Sequence, residues 1–354
     1  MKKIVLTGGG TAGHVTPNLA LVPLLKDAGY EILYIGSKNG MEKDLVKKEG
    51  IPYVGISSGK LRRYISIENL KDPFRIQHGY HEAIRILRKF KPDIVFSKGG
   101  FVSVPVVGAA RFWRIPAITH ESDMTVGLAN RLNLRSVKMI CCNFPETAKD
   151  LPAKKAVVTG CPLRAELFEG DREVAKRITG LTGEKPVLMI IGGSLGAVAV
   201  NEAVREALPL LLRDFQILHL CGKGNLSAEH AGTPGYVQIE YATDELKHFF
   251  SLADVVISRA GANAICELAA LHKPNILIPL PTAASRGDQL LNAESFKEQG
   301  FSDVLLQADI TPELLHERVL ALYKEKDRYI SAMENANFKN AAERVVALIK
   351  EYTK

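Results

Sequence analysis

Residues 258–292 read SRAGANAICELAALHKPNILIPLPTAASRGDQLLN, and this stretch decides the fold. It follows the β-branched run Val255-Val256-Ile257, passes through a turn of small residues and continues as helix formers from Ala262 to Leu271. A strand that feeds a helix through such a turn leaves backbone N–H groups unpaired at the positive end of the helix dipole. The stretch therefore predicts a Rossmann-like strand, turn and helix with a phosphate site at the helix N-terminus.

Two polar side chains of this stretch are candidate ligand contacts. Glu267 lies in a helix made almost entirely of Ala, Ile, Leu and Cys, where an unbound carboxylate is costly to bury. An exposed glutamate on an amphipathic helix is the simpler interpretation, but the apolar composition favours a ligand, and ribose hydroxyls can donate to a carboxylate. Gln289 follows a second apolar run, 276–280, in a loop of the kind that holds ligands at the carboxyl end of a parallel strand. The stretch is interpreted as a nucleotide-sugar site.

The composition is that of a two-domain globular protein. The chain has 354 residues, of which 46% are hydrophobic and 24% charged. Its net charge of +7 suits an anionic membrane surface or a phosphorylated substrate, and no recognised motif indicates nucleic acid. The five cysteines lack CxxC spacing, which predicts reduced core residues and no metal site. The N-terminus is typical of a first strand and not of a signal peptide, and no apolar run predicts a membrane span.

The opening residues are a second ligand-site candidate. A predicted strand at 3–7 is followed by GGGTAGH at 8–14 and by a helix from Pro17. The glycines fit GxGxxG, but the dinucleotide pattern also requires an acidic residue at the end of the next strand, and the strand at 31–35 ends in Gly-Ser-Lys. An NAD-dependent enzyme is therefore disfavoured. His14 follows the glycine turn at the carboxyl end of the first strand, where imidazole can act as a general base. A structural role in the turn is the alternative.

Strands and helices alternate along the whole chain, which predicts doubly wound parallel sheets. The predicted strands are 3–7, 31–35, 52–56, 93–97, 117–119 and 138–142, then 187–191, 216–220, 237–241, 255–257, 276–279 and 303–306. A glycine turn at 192–196 repeats the opening motif and predicts a second Rossmann-like domain, with the charged segment 166–183 as connector. We predict domains at 1–163 and 164–337, and a C-terminal helix at 338–354 that packs back on the first domain.

Further segments of the first domain are candidates for substrate or membrane contact. The turns at 98–103 and 120–123 follow strands and are predicted to lie at the same sheet edge as His14. Basic residues mixed with aromatic ones predict an interfacial membrane patch, consisting of Arg62, Arg63, Phe74, Arg75, Trp113 and Arg114. A solvated helix face is the alternative.

Seven motifs, spread in order over most of the chain, resemble those of the GT-B glycosyltransferases. They are GGGTAGHVTPNLA at 8–20, SKGGFVSVP at 97–105, HESDMTVGLANR at 120–131, TGCPLR at 159–164, GGSLGA at 192–197, SRAGANAICE at 258–267 and RGDQLLNA at 286–293. The resemblance is specific to family 28 members that add N-acetylglucosamine to the lipid-linked muramoyl-peptide precursor of peptidoglycan. It implies the GT-B fold, which is two Rossmann-like, doubly wound parallel-sheet domains that face each other across a cleft.

The resemblance also implies roles for individual residues. His14 would be the catalytic base, with Thr11, Ala12 and Gly13 near the transferred sugar. The other UDP-N-acetylglucosamine contacts would be Arg164, Ser194, Ala262, Asn263, Ala264, Glu267 and Gln289, and the acceptor contacts would be Glu121, Asp123 and Phe101. Asp123 stands where the family has an asparagine, Asp288 where a second glutamine is common, and Phe101 where tyrosine is common. These departures concern sugar and acceptor contacts and leave the reaction class unchanged.

The implied reaction is an inverting transfer from UDP-N-acetylglucosamine to the muramoyl-peptide of a lipid pyrophosphate, without cofactor or metal. The implied partners are the two substrates, an anionic inner membrane surface at the cytoplasmic face of the cell membrane, and cell-wall synthesis proteins. The alternatives are a GT-B transferase for another lipid such as diacylglycerol, a GT-B epimerase, and a non-catalytic membrane-docking partner of a sugar-binding subunit.

Overall fold

The computed structural model describes residues 1–59, 67–193, 196–282, 287–336, 338 and 340–354. The chain divides into two compact units. The N-terminal unit comprises Met1–Arg164 and Asn340–Lys354, and the C-terminal unit comprises Ala165–Lys339. No helix within the described ranges is both long enough and apolar enough to cross a membrane.

The N-terminal unit is built on a parallel sheet that has seven strands in the described part of the chain. The strands are β1 (Lys2–Thr7), β2 (Tyr30–Ser37), β3 (Tyr53–Ile56), β4 (Ile94–Ser97), β5 (Ala117–Glu121), β6 (Met139–Cys142) and β7 (Ala156–Val158), in the order β3-β2-β1-β4-β5-β6-β7. The helices between them are α1 (Thr16–Asp27), α2 (Glu42–Lys48), α3 (Ile67–Phe90), α4 (Ser103–Phe112), α5 (Leu128–Asn133) and α6 (Pro145–Lys149). Strands β1 and β4 lie at the centre and are buried on both faces, which explains their unbroken apolar runs.

The C-terminal unit repeats this plan with six parallel strands among its described residues. They are β8 (Val187–Ile191), β9 (Gln216–Leu220), β10 (Tyr236–Ile239), β11 (Val255–Ser258), β12 (Asn275–Leu277) and β13 (Asp303–Val304), in the order β10-β9-β8-β11-β12-β13. Its helices are α7 (Arg172–Thr179), α8 (Val198–Asp214), α9 (Leu246–Leu252), α10 (Ala262–Ala270), α11 (Asp288–Glu298), α12 (Pro312–Lys324) and α13 (Lys326–Asn335). The predicted doubly wound parallel sheets are therefore confirmed.

The last helix, α14 (Ala341–Tyr352), belongs to the N-terminal unit. One stripe of the helix is buried, and it consists of Ala341, Val345, Val346 and Ile349. The last three of these share one core cluster with residues of α1. Beyond the helix, the hydroxyls of Tyr30 and Thr353 are 2.6 Å apart. The final helix is thus held by apolar contacts to α1 and by a polar contact to the start of β2.

Several predicted strand boundaries are wrong by one or two residues, and three further differences concern the ends of the N-terminal sheet and the connector. Strand β5 continues to Glu121, because the polar pair at its end is buried inside the sheet and not exposed in a loop. Strand β7 was not predicted, since it is a short, partly exposed edge strand. The predicted connector at 166–183 contains α7, which Asp171 caps by accepting hydrogen bonds from Glu173 N and Val174 N, and which ends at the left-handed Gly180.

Candidate active site

Each sheet has a switch point, where neighbouring strands are connected onward in opposite directions. It lies between β1 and β4 in the N-terminal unit and between β8 and β11 in the C-terminal unit. Ligands of doubly wound proteins bind outside the carboxyl ends of the strands at such points. The turn at 8–14 follows β1 and helix α10 follows β11, so each predicted ligand turn lies at the switch point of its own sheet.

The turn after β1 requires glycine because backbone and side chains pack directly against it. A Cβ on Gly8 would lie 2.6 Å from the carbonyl oxygen of His14, and a Cβ on Gly9 would lie 2.5 Å from Oε1 of Glu42. Gly100, in the turn after β4, faces the Gly9 carbonyl oxygen, which a Cβ would approach to 2.4 Å. The two glycine turns therefore lie against each other, as the prediction of a shared sheet edge requires.

A buried carboxylate that sequence reasoning missed supports the first glycine turn. Glu42, at the start of α2, is fully buried. Its Oε1 accepts hydrogen bonds from the backbone N–H (2.8 Å) and the hydroxyl (2.5 Å) of Ser37, and its Oε2 accepts one from Gly10 N–H at 3.3 Å. A negative charge of the chain itself thus occupies this side of the turn, which a dinucleotide pyrophosphate would approach unfavourably. The only feature of the sequence that could have indicated this role of Glu42 is the presence of glycines before and after the end of β2.

His14 ends a 3-10 turn, Ala12–His14, and is half-buried. Its Nδ1 lies 3.0 Å from Oγ1 of Thr11, and its backbone N–H donates to the Thr11 carbonyl oxygen at 3.1 Å. Thr11 is exposed, whereas Gly13 is half-buried. If Nδ1–H donates to the threonine hydroxyl, the neutral ring carries its basic lone pair on Nε2, which is the tautomer that proton abstraction requires.

A buried lysine organises the turns after β4 and β5. The Lys98 ammonium lies 2.8 Å from Nδ1 of His120 and donates to the hydroxyl of Ser122. The other ring nitrogen, Nε2, lies 2.9 Å from the carbonyl oxygen of Gly160, to which it donates. Burial, together with the Lys98 charge, lowers the pKa of His120 well below its usual value. His120 is therefore neutral, accepting from Lys98 on one side and donating on the other.

Two of the three predicted acceptor residues lie at the end of β5 and in the loop after it. The Glu121 carboxylate accepts hydrogen bonds from the backbone N–H groups of Ser122 (2.9 Å), Asp123 (3.2 Å) and Gly127 (2.8 Å), and from Nδ2 of Asn130 (2.9 Å). Glu121 thus fixes the shape of the 122–127 loop. Asp123, in that loop, and Phe101, in the turn before α4, are both half-buried.

Donor residues were predicted on two other turns. Ser194 lies outside the described residues, while its neighbour Gly196 has a φ of +75° and packs so closely that a Cβ would lie 2.1 Å from the Cys221 carbonyl oxygen. Arg164 is half-buried and is the last residue before the C-terminal unit begins. Gly196, in the turn after β8, is therefore packed as closely as Gly8 and Gly9 are in the turn after β1.

Helix α10 has one half-buried face and one core face. It begins after Gly261, which is extended. Asn263, Ala264 and Glu267 are half-buried and lie on one side, because residues three and four apart are neighbours on a helix. The opposite side is fully packed, with Ile265, Cys266, Leu268 and Ala269 all buried. Glu267 lies about 6 Å along the axis from Asn263 and thus about one turn below the amide groups at the helix N-terminus.

Three long side chains hold the loops around α10 in place. Arg259 Nη1 donates to the carbonyl oxygen of Ile278 at 3.0 Å, and its Nη2 donates to Oε1 of Gln307 at 2.7 Å. Buried Asn292 donates to the Ala260 carbonyl oxygen at 3.1 Å. Gln289 Oε1 accepts from the backbone N–H of Leu280 at 3.0 Å. Arg259 and Asn292 were not predicted as site residues, because their partners are 19 and 32 residues away in sequence.

The predicted membrane patch is divided in the structure. Arg62 and Arg63 lie outside the described residues. Phe74 is 74% exposed, but ten residues of α3 separate it from Ile84, whose carbonyl oxygen accepts from Trp113 Nε1 at 3.1 Å. That separation is about 15 Å along a helix. Exposed Phe112 and Trp113 pack edge to face, between exposed Arg111 and Arg114, and together these four form an aromatic–basic cluster at the end of α4.

Two units, each a doubly wound parallel sheet with a turn of small residues at its switch point, are the architecture of the GT-B class of glycosyltransferases. The chain belongs to glycosyltransferase family 28. The N-terminal domain model of that family matches residues 4–141, and its C-terminal domain model matches residues 187–348.

Similar proteins agree with this assignment. A protein of Lachnospira eligens, 58% identical over all 354 residues and covered over its whole length, is named UDP-N-acetylglucosamine–N-acetylmuramyl-(pentapeptide) pyrophosphoryl-undecaprenol N-acetylglucosamine transferase. A Lachnoclostridium phytofermentans protein of the same name is 58% identical over 351 residues, 99% of each chain. Among solved structures, Acinetobacter baumannii MurG is 29% identical, with a TM-score of 0.79 over 99% of this chain and 100% of that one. A Listeria monocytogenes UDP-N-acetylglucosamine 2-epimerase candidate, 15% identical with a TM-score of 0.74 over 99% of this chain and 97% of that one, shares the fold alone.

Proposed function

We propose that this protein transfers N-acetylglucosamine from UDP-N-acetylglucosamine to the muramoyl-pentapeptide of pyrophosphoryl-undecaprenol (lipid I), with inversion at the anomeric carbon, to give the disaccharide lipid II. The observation that carries the proposal is the 58% identity, over the whole chain, to a relative whose name states this transfer. The glycine turns and α10 supply the kind of groups that the reaction needs.

The C-terminal unit would bind the donor. Backbone N–H groups at 262–264, at the positive end of the α10 dipole, would hold the diphosphate and stabilise the charge that develops on UDP as it leaves. Glu267, one turn further along the same face, would accept from the ribose hydroxyls. Gln289 would contact the hydroxyls of the sugar, and Ser194 and Arg164 would contact the diphosphate.

The N-terminal unit would bind the acceptor and supply the base. His14 Nε2 would take the proton of the attacking hydroxyl, while Thr11 orients the ring through Nδ1 at 3.0 Å. Ala12 and Gly13 would lie beside the transferred sugar. Attack on the side opposite to the leaving UDP inverts the anomeric centre. Asp123 and Phe101 would contact the acceptor. Glu121 would fix the conformation of the 122–127 loop, which carries Asp123, through its four hydrogen bonds.

The lipid tail of the acceptor requires that the enzyme work at a membrane surface. The aromatic–basic cluster at 111–114 combines exposed rings with two exposed arginines, which suits insertion among anionic headgroups. We place the enzyme as a peripheral protein at the cytoplasmic face of the cell membrane, with cell-wall synthesis proteins as further partners.

An acceptor panel tests the proposed function. Purified enzyme is incubated with radiolabelled UDP-N-acetylglucosamine and, separately, with the undecaprenyl-pyrophosphoryl muramoyl-pentapeptide, with the same lipid without muramoyl-peptide, and with diacylglycerol. Label should enter only the first lipid. Label in diacylglycerol would favour a different lipid transferase, and no label in any lipid would favour a GT-B epimerase or the non-catalytic docking partner.

A further inference from the structure

A cavity of about 560 Å³ lies in the N-terminal unit outside the carboxyl ends of β2 and β3. None of the roles assigned above uses it. Gly10, on the turn that also carries Thr11 and His14, forms part of its wall. Asp72 and Arg75, from the early turns of α3, also line it, together with Lys38 and Ser57. The cavity therefore adjoins the glycine turn at which the acceptor is proposed to bind. Its volume suits a ligand of drug-like size.

The wall of this cavity is preformed by close packing. Gly79 of α3 lies against the Ser57 carbonyl oxygen, and Gly59 lies against Asp72, where a Cβ would be 2.9 Å from the backbone oxygen. Glu82 accepts from the backbone N–H of Ser57 and from the Lys38 ammonium, both at 2.6 Å. Partial burial opposes ionisation of Glu82, but these hydrogen bonds outweigh it and lower the pKa of its carboxyl group. The ionised Glu82 thus holds Lys38 at the cavity edge.

Asp72 indicates that a ligand supplies a donor. The residue is 1% exposed, and Oδ1 lies 3.4 Å from Nη1 of Arg75. Its Oδ2 is buried and has no hydrogen-bond partner within the described part of the chain. Leaving a buried carboxylate oxygen unpaired is costly, so a bound ammonium or amide N–H would stabilise it.

The charges of the cavity favour a peptide over a nucleotide or a diphosphate. Among the described lining residues the two cations, Lys38 and Arg75, each lie beside a carboxylate, so this part of the wall is balanced and does not attract a polyanion. No aromatic ring on which a base could stack is among the described lining residues. A peptide offers N–H donors for Asp72 together with neutral carbonyl oxygens to which Lys38 and Arg75 can donate.

We infer that this cavity binds the peptide of the acceptor, a role that rests on the proposed function. The muramoyl sugar would lie at the glycine turn, beside His14, and the peptide attached to it would extend past Gly10 towards Asp72. Arg75 then serves substrate recognition and not the membrane patch in which the sequence pattern grouped it.

Two acceptors that differ only in the peptide test this inference. They are the lipid-pyrophosphoryl muramoyl-pentapeptide and the same lipid-linked sugar without peptide, each assayed with wild type, Asp72→Asn and Lys38→Met. Wild type should prefer the pentapeptide acceptor. Both variants should lose roughly tenfold or more of that preference in kcat/KM, because one charged contact is removed in each. Lys47→Met, an exposed change on α2, should keep the wild-type preference.

The result that overturns the inference is an unchanged preference in both variants. A rise in the KM for UDP-N-acetylglucosamine, with acceptor preference intact, would also overturn it, since the cavity would then belong to the donor. Failure of the proposed function looks different, because wild type itself would then transfer sugar to neither acceptor. Lys38 is exposed, so its variant should stay folded even if Asp72→Asn does not.

Discussion

The Glu42 carboxylate accepts a hydrogen bond from the backbone N–H of Gly10 at 3.3 Å, across 32 residues of sequence. The same carboxylate binds the N–H and the hydroxyl of Ser37, so it joins the β1 turn to the end of β2. A negative charge that is fully buried would be unfavourable without these donors. Glu42 therefore positions the turn that carries His14.

Replacement of Glu42 by glutamine should destabilise the N-terminal unit. The amide keeps the size of the side chain, but its NH₂ group would face either Gly10 N–H or the Ser37 donors. We expect a loss of about 1–3 kcal/mol in the free energy of unfolding, measured by urea titration. Glu49→Gln, an exposed change at the end of α2, is the control and should stay within about 0.5 kcal/mol of wild type. If the two changes alter the free energy of unfolding by the same amount, the hydrogen bonds of Glu42 contribute nothing to the stability of the unit.

Glu267→Ala should weaken UDP binding by roughly 1–3 kcal/mol, because the ribose hydroxyls lose a charged acceptor. Calorimetric titration with UDP measures the change. Glu298→Ala, an exposed change near the end of α11, should bind UDP as wild type does. If a folded Glu267→Ala protein binds UDP with unchanged affinity, the ribose contact lies elsewhere.

His14→Ala should lower kcat by roughly 10²–10⁴-fold, the usual contribution of a positioned general base. The dissociation constant for UDP should change little, since the donor is assigned to other residues. The pH profile of the residual activity should lose the rise that reports formation of neutral imidazole. His81→Ala, an exposed change on α3, provides the control. A variant with near-normal kcat and only reduced thermal stability would make His14 a structural turn residue.

The aromatic–basic cluster should control binding to anionic vesicles. Trp113→Ser combined with Arg114→Gln should reduce vesicle binding, and the wild-type binding should fall steeply with salt because the arginines act through screened charge. Phe74→Ser, at a separate exposed site on α3, is the matched control and should bind as wild type does. Cosedimentation with the vesicles measures both. If both proteins lose vesicle binding equally, the membrane-binding surface extends along α3. If neither protein loses vesicle binding, that surface lies elsewhere in the protein.

The fold could be predicted because each central strand is a continuous run of apolar residues. Strands β1, β4, β8 and β11 are buried on both faces and are followed by glycine or small-residue turns, which are local signals. Edge strand β7 is partly exposed and only three residues long, so its pattern was too weak. Helix α7 carries two local signals, the N-cap Asp171 and the left-handed Gly180 at its end. Its charged sequence was nevertheless interpreted as a connector between domains.

The site was less predictable than the fold because its supporting contacts are long-range. Motifs identified His14, Glu267 and Gln289, and their roles stay predictions. No local pattern connects Glu42 to Gly10, Asn292 to Ala260 or Lys98 to His120, since each pair meets only after the sheet has formed. His120 and Glu121 resembled a polar loop because a buried hydrogen-bond network has the same composition as a solvated turn.

The most direct test of the central claim is the chemical identity of the product formed from UDP-N-acetylglucosamine and the lipid-linked muramoyl-pentapeptide. Mass spectrometry and the anomeric proton coupling of the isolated lipid should show one added N-acetylhexosamine in β linkage, with one UDP released for each sugar transferred. An α linkage would contradict direct displacement by an activated hydroxyl. Release of UDP without a glycosylated lipid, or conversion of the donor to its 2-epimer, would contradict the transferase itself.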